Sequence, residues 1–180
     1  MQPNTLQNAV DALGLNYSAE FVPFSKSRNA KKATKPSDYS LNWRVTLSKN
    51  GRSLTTDYMQ GIGHIPGHKQ NTRYTTNAWG ALKHTCETGK YGGRESSIAQ
   101  YLGEKPIPAP LPRDVLYSLG MDASVIDYPS FEEWASDFGY EPDSRKAEKT
   151  YQECLRIALE LRAMLGDAGM QSLRDASQDY

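Results

Sequence analysis

Cysteine is scarce in this 180-residue chain: Cys86 and Cys154 are the only two, too few for the disulfide framework that holds small secreted domains together. No run of eighteen apolar residues occurs, so no segment reads as a membrane-spanning helix. The amino terminus, MQPNTLQNAVDALG, lacks the basic start and continuous apolar stretch of a secretion signal. A reducing, cytoplasmic setting is the expectation. Catalytic signatures are missing too: there is no Gly-x-Ser-x-Gly elbow and no His-Glu-x-x-His pair. Gly61-Ile62-Gly63 and Gly92-Gly93 lack the downstream glycine and the Lys-Ser/Thr pair of a phosphate-binding loop, and read as turns. Net charge is also absent, with 21 basic against 21 acidic side chains.

What is present is bulky aromatic material in an otherwise polar chain. Apolar residues are 38%, but eleven Tyr, four Phe and three Trp suffice for a thin core. Asn4 precedes a helical spacing of Leu6, Val10 and Leu13 that stops at Gly14. Ala19 to Phe24 reads as a strand. SKSRNAKKATKPSD then shows no apolar periodicity and reads as a mobile basic loop. In LNWRVTLS, Leu41, Trp43, Val45 and Leu47 alternate with polar residues, which predicts a half-buried strand. Asn50-Gly51 suits a tight I′ turn, and SLTTDYM returns, completing a hairpin. Of residues 61–93 only WGALKHTC, around Trp79, suggests order, as a short helix.

PIPAPLP at 106–112 holds four prolines and reads as an extended linker. Helices follow. Arg113 to Leu119 is expected to stop at Gly120, and Ser130 with Glu133 forms a capping-box spacing before FEEWASDF, which Gly139 ends. Asp143 or Ser144 caps the longest element, whose stripe of Ala147, Tyr151, Cys154, Leu155, Ala158, Leu161 and Leu165 closes at Gly166. The expected fold class is α+β: a basic, β-rich region over 1–105 with a short first helix, the linker, and an acidic helical region over 113–180.

His64, His68, His84 and Cys86 are the side chains that suit zinc, but Ile65-Pro66-Gly67 bars the helix that would align the first two. A metal site is therefore not expected, and no other cofactor is implied. Cys86 as a nucleophile needs a base. His84 would face it from two residues away in an extended strand, but nothing supplies the third group.

The zero net charge hides a division: residues 1–105 carry 14 basic and seven acidic side chains, and residues 106–180 carry seven and 14. Such asymmetry signals a partner. Lys26, Arg28, Lys31, Lys32, Lys35 and Arg44 could neutralise phosphates while Trp43, Tyr39 and Tyr74 stack on bases. Against a single Arg113, Asp114, Asp122, Asp127, Glu132, Glu133, Asp137, Glu141 and Asp143 crowd between Pro106 and Ser144. Spaced carboxylates on helices imitate nucleic-acid phosphates and attract a basic groove. The bland account is a solvated surface facing the basic half of the same chain.

Phe131-x-x-Trp134, Gly139-Tyr140, Asp143-Ser144-Arg145-Lys146-Ala147 and Tyr151-x-x-Cys154, with Asp57-Tyr58-x-Gln60-Gly61-x-Gly63-His64 before them, resemble small phage and prophage accessory proteins, anti-CRISPR inhibitors among them. The likeness covers residues 40–64 and 130–160 and brings no catalytic residue. It implies a phage origin and, taken with the acidic block, gives the expectation of a non-enzymatic inhibitor in the host-cell cytoplasm that binds a CRISPR-type defence complex through the acidic face. The alternative expectation is a nucleic-acid-binding accessory protein that uses the basic region.

Overall fold

The computed structural model describes residues 5–26, 30–61, 76–91 and 105–178. Its fold class is α+β, as the residue patterns predict. Helix α1, Thr5–Ala12, buries Leu6 and Val10, and Gly14 behind it adopts a φ of 63°, the left-handed turn that stops a helix. Strands β1 (Asn16–Val22), β2 (Ser40–Lys49) and β3 (Arg52–Gly61) form one sheet in that order. β1 starts three residues before the predicted strand and gives way to a 3-10 turn at Phe24. The β2–β3 turn is as expected: Asn50 and Gly51 have φ of 52° and 78°, both positive as a I′ turn requires. Because β2 lies in the middle of the sheet, even its polar Asn42 is buried, and that carboxamide oxygen accepts a 2.8 Å hydrogen bond from the Ser40 hydroxyl.

The chain divides into two compact units interleaved in sequence. One comprises Met1–Tyr17, Thr46–Leu54 and Leu111–Tyr180, and the other Ser18–Val45 and Thr55–Pro110. In the second, Phe24, Leu41, Trp43, Val45, Leu82 and Cys86 are buried. Trp43 meets Phe21 edge-on at 5.5 Å and its indole N–H donates to Gln60. Helix α2 spans Thr76–Thr88, longer than the short helix expected around Trp79. Gly89 follows it with a φ of 69°, and a Cβ there would sit 3.0 Å from the Phe21 ring. The start of the proline-rich stretch is tied down here, since Ile107 N–H donates to Gly89 and Tyr91 N–H to Lys105.

The basic stretch is not the unstructured loop expected, at least over the described residues 30–38. Two 3-10 turns, Ala30–Lys32 and Pro36–Asp38, occupy it. The Asp38 carboxylate accepts backbone N–H bonds from Thr34 at 2.8 Å and Lys35 at 3.1 Å. Order here comes from side-chain-to-backbone bonding, which leaves no apolar periodicity to read.

In the first unit, helix α3 covers Pro112–Ala123, with proline in its first turn where a missing N–H costs nothing. It runs past Gly120, the predicted stop. Val115, Leu116, Leu119 and Ala123 share its buried face, so packing carries the helix one turn further than the glycine suggests. A 3-10 turn, Ser124–Asp127, leads to α4, Phe131–Asp137, whose N-cap Ser130 accepts from Glu133 N–H at 3.2 Å. Helix α5, Arg145–Gln178, is broken at Gly166, where φ 68° and ψ 174° are not helical. The pattern located that break but not the helical path beyond it, which buries Met170, Leu173 and Ala176. Ser144, not Asp143, caps α5: its hydroxyl accepts from Ala147 N–H at 3.0 Å. α3, α1, α4 and the 3-10 turn all pack on α5.

Candidate partner-binding face

α4 is short, and a cluster of rings holds it in place. Trp134, 2% exposed, stacks on Tyr140 at 5.3 Å and meets Tyr151 of α5 at 5.2 Å; Phe131 meets the same tyrosine at 5.1 Å. Lys146 lies 5.5 Å over the Tyr140 ring. Phe138 stacks on Trp134 yet remains 43% exposed, because the helix ends there and the chain turns away at Gly139.

With Phe131, Trp134 and Ala135 packed inward, Glu132, Glu133, Ser136 and Asp137 are the positions of α4 that face water. Glu132, Glu133, Asp137, Glu141 and Asp143 are all exposed, and among the described residues none of them is in an ion pair. Asp137 accepts a hydrogen bond from Tyr128; burial, then this carboxylate and that of Asp127, hold the Tyr128 hydroxyl above the usual tyrosine range.

The other three acidic candidates are differently placed. Asp114 lies 3.5 Å from the neighbouring Arg113 guanidinium, and Asp127 accepts a 2.8 Å bond from Arg174. Asp122 is half-buried; burial and then the nearby Glu153 raise its pKa above the ordinary 3.8. Elsewhere in the same unit, Glu153 is bonded to Arg156 and Asp167 to Arg162. Asp11, Glu148, Glu160 and Asp175 of this unit are also in no ion pair among the described residues, but they are spread along α1 and α5, whereas five such carboxylates fall together on α4 and the loop behind it. Sequence spacing could not separate these groups, because Arg174 is distant in the chain from Asp127.

Of the basic candidates, Arg44 is engaged by Asp57 at 3.4 Å. Lys31, Lys32 and Lys35 are exposed and in no ion pair among the described residues. Lys32 borders a cleft of about 420 Å³ with Ser37, Tyr39 and the exposed Met59. Arg28, the Lys26 side chain and Tyr74 lie outside the described residues.

His64 and His68 also lie outside them. Cys86 and His84 sit on helix α2, not on a strand, so their side chains diverge by about 200° at 100° per residue. Burial, then Glu87, pushes the Cys86 thiol up to about 12. A group in that state is a protonated thiol at neutral pH, the opposite of an activated nucleophile. Among the described residues no group of three or more His, Cys, Asp or Glu could hold a metal ion, and no helix is long and apolar enough to cross a membrane.

Compared with protein-family models, curated proteins and solved structures, the chain matches none.

Proposed function

We propose that this chain is a binding protein, without catalysis of its own, that occupies a basic, nucleic-acid-binding surface of a partner protein. One observation supports this above the others: Glu132, Glu133, Asp137, Glu141 and Asp143 are exposed and, among the described residues, in no ion pair, although they crowd into one short stretch of chain, whereas Asp114, Asp127, Glu153 and Asp167 of the same unit have arginine partners. Folding gains little from leaving carboxylates unpaired, and mutual repulsion works against them. A basic groove would supply the missing countercharge and would be drawn in at long range. The resemblance to anti-CRISPR proteins makes a CRISPR-type host defence complex the first partner to test.

The experiment changes charge with little cost to the fold. Glu132 and Glu133 lie in the first turn of α4, where cations would oppose the helix dipole by about 0.3–1 kcal/mol each, so they become Gln. Asp137→Asn keeps an acceptor for Tyr128. Glu141 and Asp143, in the loop, become Lys. Inhibition of nucleic-acid binding by a purified CRISPR effector is then measured. The variant should melt near the parent temperature and associate roughly tenfold more slowly, with weaker salt dependence. A normally melting variant that inhibits at full strength would overturn the reading.

A second reading, nucleic-acid binding by the basic region, draws on the unpaired Lys31, Lys32 and Lys35 beside the Tyr39–Met59 cleft. Tight, salt-sensitive binding of an oligonucleotide, lost when these lysines become Ala, would make it the better one.

A further inference from the structure

Beside the acidic face, α3 and the part of α5 after Gly166 leave a cleft of about 220 Å³ between them. Tyr117, Gly120 and Met121 line one side, and Met170, Leu173 and Arg174 the other. Most of its polar neighbours are already engaged. The Ser124 hydroxyl donates to Met121 O at 2.7 Å, the Ser177 hydroxyl to Leu173 O at 2.7 Å, and Arg174 to Asp127 at 2.8 Å. Such a slot rewards an apolar side chain and offers a polar one little. Met121 stands 49% exposed at its mouth, an unbranched thioether able to adapt to what enters.

The cleft borders the carboxylates. Asp127 lies on its rim, and the next residue, Tyr128, donates to Asp137 and meets the exposed ring of Phe138 at 6.0 Å. We propose that this cleft is the anchor pocket for the same partner, receiving one apolar side chain from a basic segment whose cations lie along α4. The inference rests on the acidic-face reading. Charge selects this occupant over others. A second copy of this chain, docked symmetrically, would set acidic face beside acidic face, and nucleic acid would be repelled. A neutral small molecule would make no use of the five carboxylates. An apolar anchor gripped in a pocket beside steering charges is how protein interfaces concentrate their affinity.

The test needs no identified partner. The full chain is titrated with a synthetic lysine-rich peptide carrying Leu at helical i, i+3, i+4 spacing, and with the same peptide carrying Ala there. The Leu peptide should bind about 10- to 100-fold more tightly, the value of burying one such side chain. The methyl signals of Met121 and Met170 should move only with the Leu peptide. Met121→Lys should reduce the Leu peptide to the level of the Ala peptide. Met121→Gln, of similar length, gives the same comparison should the lysine disturb folding. Equal binding of the two peptides to the parent protein, or a Leu preference that survives in both variants, overturns the pocket while leaving the acidic face intact. Failure of both peptides to bind overturns both. Unchanged affinity of the Leu peptide for the charge-altered chain would show the pocket acting without the carboxylates, overturning their shared partner.

Discussion

Asp143 and Ser144 are adjacent at the start of the longest helix, yet their roles should separate completely. The Ser144 hydroxyl accepts the Ala147 N–H at 3.0 Å, filling one of the four backbone donors that a helix start leaves open. Ser144→Ala should therefore cost about 1 kcal/mol, within a range of roughly 0.5–2 for lost N-caps. For a chain of this size that lowers the melting temperature by about 2–4 °C. Asp143 is exposed and makes no capping bond. Asp143→Ala removes only a charge near the helix start, worth about 0.3 kcal/mol at the low end of such effects. Binding should show the reverse ranking: Asp143→Lys slows association with the partner, whereas Ser144→Ala leaves every carboxylate in place and binds normally below its melting temperature. Thermal denaturation followed by circular dichroism, paired with stopped-flow association, reads both properties. Equal destabilisation by Asp143→Ala and Ser144→Ala would refute the assignment of the cap, and normal association of Asp143→Lys would remove Asp143 from the face.

At Gly166, φ 68° and ψ 174° fall in a region almost reserved for glycine, while a Cβ would meet nothing within 4 Å. Gly166→Ala should therefore cost about 1–3 kcal/mol through backbone strain alone, seen as a lower urea midpoint with an unchanged slope. Asp122 binds its proton more tightly in the folded state, so its ionisation opposes folding; the cost is absent below about pH 3.8 and grows as pH rises through the raised value. Asp122→Asn should melt higher than the parent at neutral pH, with the advantage vanishing in acid; an equal advantage at every pH would refute this. Cys86 is fully buried with its thiol pushed up to about 12, and Cys154 is buried with its thiol at about 11. Both should resist a thiol-specific reagent at pH 8 until the chain unfolds, and rapid labelling of the native protein would contradict the packing around α2 and α5.

Local chemistry was legible wherever one residue's need is met by its near neighbours. Asn50-Gly51 determined the hairpin because both positions require positive φ. Ser130 with Glu133 marked the start of α4, and alternation from Leu41 to Leu47 marked β2. The exposed carboxylates of α4 followed from the same logic, since inward Trp134 and Ala135 leave Glu132, Glu133 and Asp137 outward.

Tertiary structure decided what depends on residues far apart in the chain. Buried contacts on the face of Leu119 and Ala123 carried α3 through Gly120, overriding a local stop signal worth only about 1 kcal/mol. One local device also escaped the pattern: Asp38 organises the basic stretch by accepting from the Thr34 and Lys35 N–H groups three and four residues away, which leaves no periodicity to read. Only folding brought Arg174 to Asp127 and placed Asp122 beside Glu153, so only the structure distinguishes neutralised acids from open ones. The cleft between α3 and the end of α5 belongs to neither helix alone. Sequence sets the stripe on each helix, but the space between two stripes exists only once they are packed.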